Sequence, residues 1–107
     1  MTNAALVLTT VGEEADADAL ARLLVEERLA ACVAIGAPMR SVYRWKGAIE
    51  RSTERQLTIK TTTARVPALE KRLAELHPYE LPELLVIDVA QGSEAYLAWM
   101  AAVTRVE

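Results

Sequence analysis

His77-Pro78-Tyr79-Glu80-Leu81-Pro82-Glu83 is the stretch that decides how the second half of the chain is laid out. It holds the only histidine and two of the four prolines. A proline disfavours helical backbone in the residue before it, so His77 and Leu81 are both pushed toward extended conformations. Upstream, Val66, Leu69, Leu73 and Leu76 recur at helical spacing. Pro67 fits that helix only in its first turn, which puts the start near Ala64. Downstream, Leu84-Leu85-Val86-Ile87-Asp88-Val89 reads as a nearly continuous apolar strand. The chain therefore leaves a helix at about His77 and runs extended into a strand. The stiff connector carries an imidazole, a phenol and the carboxylates of Glu80 and Glu83, a polar cluster able to serve as a binding site. The plainer reading is a helix stop that locks a corner.

The same strand and helix signals recur toward the N-terminus. Ala5-Leu6-Val7-Leu8-Thr9-Thr10-Val11 is a strand apolar on both faces, ended by Gly12. Glu13, Glu14, Asp16 and Asp18 place negative charge at the start of a helix that runs to about Arg28, with Leu20, Leu23 and Leu24 on its apolar side. Ala31-Cys32-Val33-Ala34-Ile35 is a second strand, broken at Gly36-Ala37-Pro38. Met39, Ser41, Tyr43 and Trp45 share one face of the next extended segment. Lys46-Gly47 is a turn signal, Ala48-Ile49-Glu50 returns, and Gln56 to Thr61 completes a third strand with Leu57, Ile59 and Thr61 on one face. Gly92-Ser93 offers an N-cap to a last helix carrying Tyr96, Trp99, Met100 and Val103.

Two βαβ units joined by a hairpin, with a helix appended, predict an α+β ferredoxin-like sandwich, a single domain over residues 1–107. In that architecture both main helices cover one face of the sheet. The other face is bare, yet the first and fourth strands are apolar on both sides, and the last helix is too short to cover them. Contiguous apolar patches of sheet size are rarely left in water, so the pattern predicts self-association through the second face.

Composition narrows the function. The chain has 107 residues and a net charge of −3, with its basic residues dispersed, so no nucleic-acid stripe or polybasic membrane patch is present. No apolar run approaches the ~20 residues of a membrane span. Met1-Thr2-Asn3 leads straight into a strand without a signal-peptide pattern, and one cysteine excludes an intrachain disulfide, which together predict a cytoplasmic location.

Catalytic constellations are hard to find. Cys32 lies in an apolar strand and reads as a small core hydrophobe. No Gly-x-Ser-x-Gly elbow or glycine-rich phosphate loop occurs. One His and one Cys cannot fill a tetrahedral metal site in a monomer, although symmetry in an oligomer brings copies together. Trp45, Lys60, Tyr79 and Glu83 are the candidates for a ligand cleft, since a lysine beside aromatic rings suits a small anion or a carboxylate. The bland alternative makes Tyr43 and Trp45 interface aromatics.

These residues resemble the CutA family, the divalent-cation tolerance proteins. The motifs are Leu29-Ala30-Ala31-Cys32-Val33, Ser41-Val42-Tyr43-Arg44-Trp45-Lys46-Gly47, Ile59-Lys60-Thr61, the 77–83 connector and Tyr96-Leu97-Ala98-Trp99. The resemblance implies a ferredoxin-like homotrimer packed sheet to sheet, an architecture similar to the PII signalling proteins, and a non-enzymatic role in tolerance of copper and other divalent ions. It implies no required cofactor. Where metal ligands of the family are assigned, they involve a Cys at the end of the first strand and two His before the Pro-Tyr. Here those positions hold Thr9 and Leu76, and only His77 matches, which leaves His77 as the metal candidate and weak copper binding as the expectation. Two alternatives stand beside this reading: a PII-like regulatory module that binds a small anion between subunits and signals to a partner, and an enzyme with an intersubunit site around His77, Tyr79 and Lys60.

Overall fold

The computed structural model describes residues 2–106. Its elements run β1 (Ala4–Gly12), α1 (Ala17–Glu26), β2 (Cys32–Ile35), β3 (Met39–Trp45), β4 (Ala48–Thr62), a 3-10 turn (Thr63–Arg65), α2 (Val66–Leu76), β5 (Leu85–Asp88) and α3 (Glu94–Val103). The antiparallel sheet has the order β2-β4-β1-β5, with β3 also paired to β4. This is the ferredoxin-like sandwich that the βαβ pattern predicts.

The helices begin where their caps place them. The Asp16 side chain accepts the Ala19 amide at 3.0 Å, and the Ser93 hydroxyl accepts the Tyr96 amide at 3.2 Å. α1 stops at Glu26, two residues before the expected end, because Arg28 enters the left-handed region at φ 59°. The Leu29 amide then reaches back to the Leu24 carbonyl and the Arg28 amide to Val25, the two bonds of a Schellman ending. Leu24 and Leu29 are both buried, which supplies the apolar contact such endings use. Ala64 lies in the 3-10 turn rather than in α2, and Pro67 occupies the first turn as its missing N–H requires.

One core lies between α1, α2 and the first face of the sheet. Val7, Leu24, Leu29, Ala30, Ile59, Leu69 and Leu73 form it, and Leu24, Ile59 and Leu69 are fully buried. Thr61 is buried beside them and donates its hydroxyl to the Leu29 carbonyl at 2.8 Å, so this polar group is satisfied.

Three further features differ from the sequence reading. The segments Ala48-Ile49-Glu50 and Gln56–Thr61 are one unbroken 15-residue strand, because β2 and β3 together run beside it along most of its length. β5 is shorter than expected and spans four residues. Cys32 does not enter the core. It pairs with Lys60 on the second face, where it is half-buried.

That second face carries Leu6, Leu8, Ala34, Gln56, Thr58, Leu85 and Ile87 in register with one another. α3 covers only one end of it. There Met100 buries against Ala4 and Ala31, and the Lys60 ammonium stands 5.9 Å from the Tyr96 ring centre. Tyr96 and Trp99 remain about half exposed.

Candidate functional site

The connector 77–83 builds the candidate site. His77 ends α2 with extended backbone (φ −75°, ψ 132°) while its amide still bonds the Leu73 carbonyl. Its ring is buried. Nε2 lies 2.7 Å from the Thr10 carbonyl and Nδ1 accepts the Tyr79 amide at 3.1 Å. A carbonyl only accepts and an amide N–H only donates, so the proton sits on Nε2 and the imidazole is neutral in this arrangement.

The reason Thr10 needs such a partner follows from the sheet register. The Ala4 carbonyl points to the β5 side of β1, where it accepts the Val89 amide. Carbonyls two residues apart along a strand point the same way, so Thr10 also faces that side. β5 pairs only with Ala5 to Leu8 and does not reach Thr10. The imidazole takes the place of the missing strand.

Tyr79 extends the constellation. Its hydroxyl donates to Glu54 Oε2 at 2.8 Å, and its ring lies 4.8 Å from that of His77. Burial, then the hydrogen bond and charge of Glu54, with smaller contributions from Tyr43 and Glu14, push its ionisation well above the ordinary phenol range. A Cβ on residue 12 would stand 3.3 Å from the Tyr79 hydroxyl, so Gly12 keeps the space this phenol occupies. Glu54 is buried, and it pairs with Gly12 of β1 on one side and Met39 of β3 on the other. At the far end of the connector, one Glu83 carboxylate oxygen is buried without a hydrogen-bond partner among the described residues.

The chain brings only part of the expected cleft together. Tyr79 and Glu83 lie on the connector, and Glu80 reaches Lys46, next to Trp45, at 3.8 Å. Lys60 is elsewhere: it is on the second face under Tyr96, 12 residues along β4 from Ala48, the partner of Trp45. At ~3.3 Å per residue that is roughly 40 Å of strand. Within one chain Lys60 is therefore far from Trp45, and it lies six residues, roughly 20 Å of strand, from Glu54, the partner of the Tyr79 hydroxyl.

Metal coordination fits poorly in the single chain. Either ring nitrogen of His77 must give up a hydrogen bond before it can bind an ion. Thr9 faces the helices beside Val7 and Leu57, fully buried, with a hydroxyl that has no hydrogen-bond partner among the described residues. Among the described residues no group of three or more His, Cys, Asp or Glu side chains converges as a metal site.

Glu54 and the Thr10 carbonyl were not singled out by the sequence reading. Glu54 lies in the polar run Arg51-Ser52-Thr53-Glu54-Arg55-Gln56, which gives no local signal of a buried carboxylate. A backbone carbonyl leaves no signal at all.

A ferredoxin-like sandwich with a long projecting hairpin and a histidine-tyrosine connector defines the class. The model of the CutA1 divalent ion tolerance protein family matches residues 5–103, and the chain belongs to that family. The divalent-cation tolerance protein CutA of Thermus thermophilus is 45% identical over 95 residues, covering 89% of this chain and 92% of that protein. The crystal structure of CutA from Xylella fastidiosa matches with a TM-score of 0.93 and 40% identity, covering 97% of this chain and all of that one. A structure named PII-like protein CutA, from Nostoc sp. PCC 7120 in apo form, matches with a TM-score of 0.88 and 37% identity over 96% of this chain and 99% of that one.

Proposed function

We propose that this protein works as a homotrimer in divalent-cation tolerance, by binding and regulation and not by catalysis. The observation that carries the reading is the apolar surface one chain leaves in water: Val42 and Ile49 on the hairpin, Leu85, Val86 and Ile87 on β5, and Tyr96 and Trp99 on α3. Surface of that extent on several elements marks an interaction site. β5 adds an unpaired outer edge, which favours pairing with another chain. The number three comes from the resemblance to the CutA family. Light scattering and native mass spectrometry at low micromolar concentration test the assembly. A trimer is expected, and a well-folded monomer as the main species ends the reading.

The metal expected at His77 is copper. Binding at His77 competes with the Thr10 or Tyr79 hydrogen bond, so we expect weak affinity, with Cu²⁺ ahead of other first-row divalent ions by the Irving–Williams order. Calorimetric titration of the wild type and His77→Ala checks this. A tight site that survives His77→Ala places the ligands elsewhere.

A second reading, a PII-like module that holds a small anion between subunits, draws support from the Nostoc structure's name and from the part-buried surface around Trp45, Tyr79 and Glu83. Lys60 enters such a cleft only from a neighbouring subunit. A small-molecule screen with loss of binding in Lys60→Ala tests it.

A further inference from the structure

We propose that residues 77–83 act as a strap that fixes the direction of the β3–β4 ribbon, and that the Tyr79–Glu54 hydrogen bond is its buckle. Glu54 is the last residue of β4 flanked by strands on both sides. Beyond it, residues 48–53 pair with β3 alone. A two-stranded ribbon is marginal in water and has no intrinsic reason to hold one angle to its sheet.

The strap supplies that reason at two places. At the root of the ribbon, Tyr79 donates to Glu54 at 2.8 Å, and His77 anchors the strap itself to the Thr10 carbonyl. Near the tip, Lys46 meets Glu80 at 3.8 Å, an exposed pair that contributes little by itself. The two ribbon faces differ accordingly. On the face that carries the Tyr79 contact Glu54 is buried and Ser41, Trp45 and Ser52 are partly buried, while Met39, Tyr43, Ala48 and Glu50 on that face are exposed. Val42 and Ile49 lie on the opposite face, 63% and 60% exposed. The strap thus decides which ribbon face is presented to a second copy. This last step rests on the assembly proposed above. The positioning role of Tyr79 does not.

Amide hydrogen exchange on the assembled protein tests the strap. Tyr79→Phe keeps the ring and removes only the hydroxyl. The ribbon amides of residues 40–53 are expected to exchange roughly three- to tenfold faster, with those of 57–61 unchanged. Glu54→Gln retains an acceptor for the phenol and should keep wild-type ribbon rates, whereas Glu54→Ala should match Tyr79→Phe. Unchanged ribbon rates in Tyr79→Phe, or acceleration spread evenly into 57–61, overturns the proposal. Light scattering in parallel separates the two readings. A monomeric wild type removes the assembly, while the exchange pattern still decides the strap.

Discussion

The Tyr79 hydroxyl donates to the Glu54 carboxylate at 2.8 Å, and Glu54 is the residue at which β4 passes from a three-stranded setting to a two-stranded one. The bond has a thermodynamic signature. The phenol's pKa is raised in the folded state, chiefly by burial and then by Glu54. A group with a raised pKa contributes stability that is fully present below its unfolded pKa, about 10 for tyrosine, and loses it as pH climbs beyond that value. Wild type should exceed Tyr79→Phe by ~1 kcal/mol at pH 7. That advantage should shrink steadily above pH ~10. Urea denaturation of both proteins across this range measures it, and a pH-independent gap contradicts the account.

Ile87 sits in register with Leu6 on the second face and is about half exposed in one chain. Ile87→Asp should leave the individual chain folded and break the assembly, because a charge buried without a partner costs several kcal/mol, roughly. Sedimentation or light scattering reports the outcome. An intact trimer in the variant places the interface elsewhere.

Cys32 pairs with Lys60 on that same face and is half-buried. It should react slowly with a thiol reagent in the assembled protein and quickly in dissociated Ile87→Asp. Equal rates would mean that assembly does not cover this region.

Leu69 is fully buried between α2 and the sheet. Leu69→Ala should cost about 3 kcal/mol, the usual range for a truncated core leucine. Chemical denaturation measures the loss, and a cost under ~1 kcal/mol would show that the core can collapse around the gap.

Lys46 and Gly47 both have positive φ, 50° and 84°, the arrangement of a two-residue hairpin turn. Lysine is strained there and asparagine is favoured. Lys46→Asn should therefore stabilise the protein by ~0.5 kcal/mol, offset slightly by loss of the exposed Glu80 pair. A rise in Tm is the expected result, and a fall shows that the Glu80 contact matters more than the turn strain.

The sequence by itself determined the element order, because that order depends on local periodicity and punctuation. The stripe Val66-Leu69-Leu73-Leu76, the stop at His77-Pro78 and the Ser93 cap each act within a turn or two of chain. The alternation of Leu57, Ile59 and Thr61 also placed the core face correctly. The tertiary structure alone decided what depends on register between distant strands. β2 and β3 run together beside β4, which merges two expected segments into one strand. The parity of the β2–β4 pairing put Cys32 on the second face, against its apolar neighbourhood in sequence. His77 could be singled out as important from its place before a proline, but not its partner. β5 ends opposite Leu8, leaving the Thr10 carbonyl without a strand, and a backbone group that lacks a partner is invisible until the strands are paired.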